Sequence, residues 1–161
     1  VELNCDLFHG GLTPTLGSLL VAKRETGMKI MAMVRPREGG FRYTPMEFAA
    51  ALEDAKLLLS HGADGLVFGF LHEDGGLDVE RTRIFAELCR EAGRESVFHR
   101  AIDVVPCWRE ALDALMELGV TRVLTSGQQA SVPLGADTIR QMGEYAAGGA
   151  FGPKPEGPEN L

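Results

Sequence analysis

The residues able to do chemistry in this chain stand at the ends of apolar runs. "SVFHRAID" (96–103) finishes in an imidazole, a guanidinium and a carboxylate: His99, Arg100 and Asp103. "KIMAMVRPRE" sets Arg35 and Arg37 on either side of Pro36, and "VELNCDL" carries Glu2, Asn4 and Asp6. "TRVLTSG" ends near Thr125 and Ser126. Arginine offers a planar fork suited to carboxylate or phosphate, and histidine exchanges protons near neutral pH. On strand alternation His99 and Asp103 share one face and Arg100 takes the other, while Glu2 can pair with Arg35 on the next strand. The expected site therefore has Arg35 and Arg37 holding an anionic group, with Arg100 and Ser126 as further ligand contacts. His99 acts there as acid or base, oriented by Asp103 or Glu2. The same groups also read as a structural ion network, and Thr125 and Ser126 as residues that satisfy local backbone.

Positioning them requires an alternation of strands and helices. "VELNCDL", "KIMAMVRP", "DGLVFGFL", "SVFHRAID" and "TRVLTSG" read as strands. After each comes a helical pattern: a first opened by Thr13 or Thr15 and closed by Gly27, then "YTPMEFAAALEDAKLLLSHG", "DVERTRIFAELCREAG", "CWREALDALMELG" and "GADTIRQMGEYAAGG". Thr44 is the expected cap of the second helix, with Pro45 at its first position and Gly62 at its end. Phe48, Ala51, Leu52, Ala55, Leu58 and Leu59 recur at three- and four-residue steps, a stripe that packs on a sheet. Such alternation predicts an α/β fold with a parallel sheet. "GLVFGFL" lacks polar alternation, as a strand covered on both faces does.

No G-x-G-x-x-G and no Walker A sequence occurs, so dinucleotide and P-loop chemistry are unsupported. No G-x-S-x-G elbow surrounds Ser126, which argues against a nucleophilic serine. Polar endings on several strands favour a (β/α)8 TIM barrel, whose strand C-termini converge on one mouth, over an open sheet with a single crevice. A complete barrel takes about 250 residues, and five units fit in these 161. The expectation is a partial barrel over 1–149 and a Pro/Gly-rich disordered tail over 150–161.

A formal charge of -7 and a pI near 5.1 disfavour nucleic acid as a partner. No apolar run approaches the ~18 residues of a membrane span. Cys5, Cys89 and Cys107 form no CxxC pair, which points to a reducing cytoplasm rather than a disulfide framework.

Six landmarks in order, "VEL…GGLTPTLG", "MVRPREGGF", "GADGLVFGFL", "DGGLD", "FHRAID" and "LTSG", resemble the CutC family of copper homeostasis proteins. That resemblance implies a cytoplasmic TIM barrel of which this chain carries family strands two to six. It also implies copper as a cofactor, held by a cysteine after "VEL" and a second thiol from an earlier strand. Asn4 occupies the first of those positions here, and Cys5 lies one residue along, which on a strand turns its side chain towards the helix layer. Cys5 is thus the metal candidate, with Met31 and Met33 as soft neighbours for Cu(I). His9 stands where the family often has Glu. Three functions follow: a copper homeostasis protein, a barrel enzyme or binding protein for a small anionic metabolite, or an inactive barrel fragment. Five units alone leave two sheet edges unpaired, so self-association through those edges is expected.

Overall fold

The computed structural model describes residues 1–149; the expected tail, 150–161, lies outside them. Five parallel strands form one sheet in chain order: β1 (Glu2–Leu3), β2 (Met31–Met33), β3 (Gly65–Phe68), β4 (Glu95–Phe98) and β5 (Arg122–Val123). Between and after them run α1 (Leu16–Glu25), α2 (Pro45–Ser60), α3 (Val79–Glu91), α4 (Trp108–Glu117) and α5 (Val132–Gly149). This is the α/β arrangement of five consecutive barrel units. Within the sheet β1 and β5 each pair on one side only.

The register aligns Met31 with Gly65 and Glu95, and Met33 with Val67 and Val97. Ile30, Ala32, Val34, Leu66, Phe68 and Phe98 turn to the helices and join Phe70, Phe85 and Trp108 in the main core. Phe68, Phe70, Phe85 and Phe98 are fully buried, each side chain stabilising the fold by roughly 1.5–3 kcal/mol. Met31, Met33, Val67 and Val97 form a second cluster on the opposite face, the one a barrel turns inward. Gly65 serves that face, since a Cβ there would fall 2.5 Å from the Met31 sulfur.

Local chemistry accounts for the helix starts. Thr44 and Glu47 make a reciprocal capping box with Pro45 behind it, and Asp78 caps α3 by accepting from Arg81 N at 3.1 Å. Thr15, of the two threonines expected to open α1, is its cap. At the N-terminal ends of the strands Asp64 accepts from Lys23 Nζ (2.7 Å), Ile30 N (2.8 Å) and Arg94 Nη1 (3.2 Å). That ion network ties three elements together away from the strand C-termini.

Three boundaries differ from expectation. Glu25 already ends α1, because Thr26 N and Oγ1 both bond back to Ala22 O. The last helix starts at Val132 rather than at Gly135. Most consequential, the β4 segment leaves the sheet after Phe98: Arg100–Val104 coil into a 3-10 turn that the His99 ring caps by accepting from Ala101 N. Strand alternation therefore stops at His99.

Candidate functional site

Arg35 follows β2 and is 8% exposed. Its backbone is fixed by Thr13 Oγ1, which accepts from Arg35 N at 2.9 Å. Arg35 Nη1 donates to His9 O (3.0 Å) and Gly11 O (3.2 Å), and Nη2 to Gly39 O (3.1 Å). One guanidinium thus anchors both the loop after β1 and the loop after β2. Gly10 and Gly39 have φ of 87° and 89°, conformations that only glycine adopts without strain, and a Cβ on Gly10 would sit 3.0 Å from Arg35 Nη1. With the end of the guanidinium spent on carbonyls, Arg35 Nε is left buried with no partner.

His99 lies two strands away and completes the same enclosure. It is 4% exposed, and its ring packs on Phe41 at 4.8 Å between centroids. Phe41 also lies 5.4 Å from the Arg35 guanidinium. His99 Nδ1 accepts from Ala101 N at 3.1 Å, which assigns the proton to Nε2. That Nε2 is buried without a partner. Burial, and secondly the Arg35 charge, push the imidazole down to about 3. Such an imidazole stays neutral at physiological pH and offers Nε2–H as a donor, a poor fit to the expected role of acid or base.

Gly69 makes room for this ring: a Cβ there would lie 2.5 Å from His99 Nδ1. Tyr43 contributes a third buried atom without a partner, its hydroxyl. Burial raises its pKa against the opposing charges of Arg35 and Arg37 and the approach of the Arg35 side chain to the hydroxyl, which falls short of a well-formed hydrogen bond. Arg35 Nε, His99 Nε2 and Tyr43 OH thus belong to groups that the Arg35 charge and the Phe41 ring link together. Three buried polar atoms without partners call for an explanation, because each unmade buried hydrogen bond costs about 1–3 kcal/mol.

Asp103 belongs to a different cluster. The 3-10 turn puts Arg100 and Asp103 on one side, where Arg100 Nε donates to Asp103 Oδ2 at 2.9 Å. Strand alternation had placed these two apart and His99 beside Asp103; the coil reverses both. Asp103 also accepts from Thr125 Oγ1, from Ser126 N (2.9 Å) and Oγ (2.9 Å), and from Gln128 N (3.1 Å). Burial pushes this carboxyl up, but the bonds from Thr125, Ser126, Arg100 and Gln128 outweigh it and hold the pKa below the ordinary value. Its acceptor sites are filled, so it organises the loop after β5, where Gln128 adopts a φ of 58°, rather than orienting His99. Ser126 is 2% exposed. Its hydroxyl has a single proton for two acceptors, Asp103 Oδ2 (2.9 Å) and Gln129 O (2.6 Å), and accepts from Arg100 Nη2 (2.7 Å). Ser126 is thus occupied, and Arg100 keeps an exposed flank over this cluster.

Arg37 does not share a ligand with Arg35. It is neutralised by Glu47, with Nε to Oε1 at 2.5 Å and Nη2 to Oε2 at 3.2 Å, and it donates to Glu38 O, Gly40 O and Arg42 O. Arg37 folds its own loop onto the start of α2. Nor does Glu2 reach Arg35: its carboxylate accepts from Asn4 Nδ2 at 3.1 Å.

Cys5 is exposed rather than turned into the helix layer, and its thiol donates to Thr13 O at 3.1 Å. The bridge from Cys5 to Leu12 is antiparallel, so Cys5 lies past the end of the parallel strand. Cys89 is buried, its thiol pushed up to about 12 chiefly by that burial, and Cys107 precedes α4. Among the described residues no three His, Cys, Asp or Glu side chains gather as a metal site. These residues do not fit a thiolate copper centre.

Sequence reasoning missed Tyr43, Phe41, Gly69 and Gln128. The signal lay in "GGFRY", two aromatics just after the glycines of an arginine-bearing loop, and in a glycine interrupting the apolar run "LVFGFL".

Comparison with known proteins places this geometry. The CutC family model matches residues 1–150. The chain belongs to the CutC family. A CutC family protein of Treponema denticola is 53% identical over 92% of this chain and 59% of its own length. The mouse copper homeostasis protein cutC homolog is 41% identical over 92% of this chain and 54% of its own length. The chain thus spans little more than half of these curated relatives. A crystal structure of CutC from Streptococcus agalactiae superposes with a TM-score of 0.85 at 32% identity, covering 91% of this chain and 72% of that one. No helix among the described residues is long and apolar enough to cross a membrane.

Proposed function

We propose that this chain carries the small-anion site of a CutC-type barrel, in which Arg35 and the neutral His99 donate to a carboxylate or phosphate oxygen beneath the 36–42 loop. The observation that carries the reading is the pair of buried donors, Arg35 Nε and His99 Nε2, with no acceptor in the protein. An anion oxygen supplies that acceptor and its charge offsets the buried guanidinium. A neutral imidazole in such a place polarises an oxygen by hydrogen bonding and does not shuttle a proton. The binding role therefore stands without a general base. Arg100 flanks the mouth but is committed to Asp103, and Arg37 to Glu47. Copper homeostasis, the role printed for the mouse relative, is the cytoplasmic setting in which we place this ligand handling.

The test is calorimetry with inorganic phosphate and with propionate, on the parent chain and on His99→Asn. Asparagine keeps an acceptor for Ala101 N and removes the Nε2 donor. Saturable binding of at least one anion is expected, weakened about tenfold in the variant. Binding that His99→Asn leaves unchanged would place the anion elsewhere.

A further inference from the structure

We infer that His9 is a proton-operated clasp at the mouth, its imidazolium joining the loop after β1 to the loop after β2 through Asp6 and Glu38. The geometry carries this. His9 Nδ1 lies 2.7 Å from Asp6 Oδ2, and Nε2 lies 3.4 Å from Glu38 Oε2. A neutral imidazole has one N–H and one lone pair, so a ring with a carboxylate at each nitrogen is matched only as the cation. The turn is built to hold Asp6 against the ring. Asp6 takes a φ of 52°, rare outside glycine, and its carbonyl accepts from His9 N and Gly11 N, each at 3.1 Å.

Removing the proton acts on one side of the ring. The shorter contact to Asp6, within the same turn, keeps the remaining N–H on Nδ1. The Nε2 lone pair then faces the Glu38 carboxylate, and attraction between the loops turns into repulsion. Among the described residues the charged groups facing the ring are Asp6 on its own loop and Glu38 on the next, while Arg35 meets His9 at its carbonyl, 3.0 Å away. The Asp6 hydrogen bond first, then the two carboxylate charges, raise the His9 pKa against the opposing effect of burial. The clasp is therefore closed below the folded pKa and opens as the pH climbs past it.

The part that moves is the turn after β1. Glu38 is fixed from behind, because Arg37 donates to Glu38 O and Gly40 O and pairs with Glu47 on α2. Leu7 and Phe8, by contrast, are 76% and 92% exposed, so little besides the ring and Arg35 holds their turn. Its carbonyls at His9 and Gly11 are the ones Arg35 Nη1 bonds, so the clasp sets how firmly that guanidinium is covered, whatever ligand it meets.

An exposed ion pair contributes little to global stability, so the readout is local: the His9 ring titration, assigned by its loss in His9→Gln, and 13Cα relaxation of Leu7, Phe8 and His9 at pH 6 and pH 8.5. In the parent the ring should titrate above about 6.5, and the order parameters should fall from about 0.85 in acid towards about 0.6 in base. Glu38→Ala should lower the His9 pKa and leave the turn as mobile at pH 6 as the parent is at pH 8.5. A parent ring titrating at or below 6.5, order parameters that do not change with pH, or a pH dependence that survives in Glu38→Ala would each overturn the clasp.

Discussion

Acid should unfold this chain through one histidine before any carboxylate takes part. His99 is held neutral down to about 3 by burial and by Arg35, whereas in the unfolded chain it takes a proton near 6.5. A depressed folded-state pKa means that the unfolded chain binds the extra proton between those values, so stability is complete above about pH 6.5 and falls as the pH drops towards the folded value. One proton gives a slope of about 1.4 kcal/mol per pH unit, or about 2 kcal/mol lost between pH 6.5 and 4.5. Asp103, Asp64 and Glu47 have lowered pKa values too, but their contributions are present above the unfolded carboxylate range and fade only below it. His9 has a raised pKa, through its hydrogen bond to Asp6 first, so its effect has the opposite sign and is lost as the pH climbs past its folded value. Asp54, whose pKa burial raises, takes up its proton first in the folded chain and works against the loss towards the acid end, so His99 is isolated by the difference between parent and variant across the window from 6.5 to 4.5. Urea unfolding across that window, on the parent and on His99→Asn, should show the slope in the first and its absence in the second. Equal slopes, or a His99 imidazole signal (assigned by its loss in His99→Asn) that titrates near pH 6.5 in the folded parent, would refute the neutral buried His99.

Other outcomes follow from single contacts. Gly69→Ala should cost ~2 kcal/mol by driving a methyl into the His99 ring, and combining it with His99→Ala should recover most of that loss; additive costs would show the ring is not the obstacle. Asp103→Asn places an NH2 against donors from Ser126, Gln128 or Arg100, and should lower stability by about 3 kcal/mol, read by chemical denaturation. A thiol reagent at neutral pH should label exposed Cys5 at once and Cys89 only on unfolding. In a Cu(I) competition titration this chain should show no stoichiometric tight binding, and one equivalent lost in Cys5→Ala would contradict that. With β1 and β5 each paired on one side, the chain alone should self-associate, against which a single monomeric sedimenting species would count.

The fold was legible because its signals were local and redundant. "YTPMEF" carries its own cap, a proline at the first helical position and an apolar stripe, and α2 begins at Pro45. "GLVF" is an unbroken apolar run, and β3 is buried at all four positions. Boundaries failed where the backbone found a bond that no periodicity encodes. The β4 segment reads as a strand through Asp103, yet the His99 ring offers Ala101 N an acceptor and the chain coils there. A period of two cannot reveal that, because the competing signal is a side chain's hydrogen bond and not hydrophobicity.

The site was half legible for a related reason. Residue types at strand ends identified Arg35 and His99, and both lie under the same loop. Sequence could not apportion partners, because partners come from segments far apart in the chain. Glu47, twelve residues beyond Arg35, takes Arg37 while also capping α2, so that loop arginine is spent before any ligand arrives. Thr125, Ser126 and Gln128 claim Asp103 from more than twenty residues away. What remains available is decided by subtraction: charged groups find acceptors within the protein wherever the loops permit, and donors left over beneath a loop are the ones still free for a ligand. By that reasoning the informative atoms at this mouth are Arg35 Nε, His99 Nε2 and Tyr43 OH, the ones the fold leaves without a protein partner.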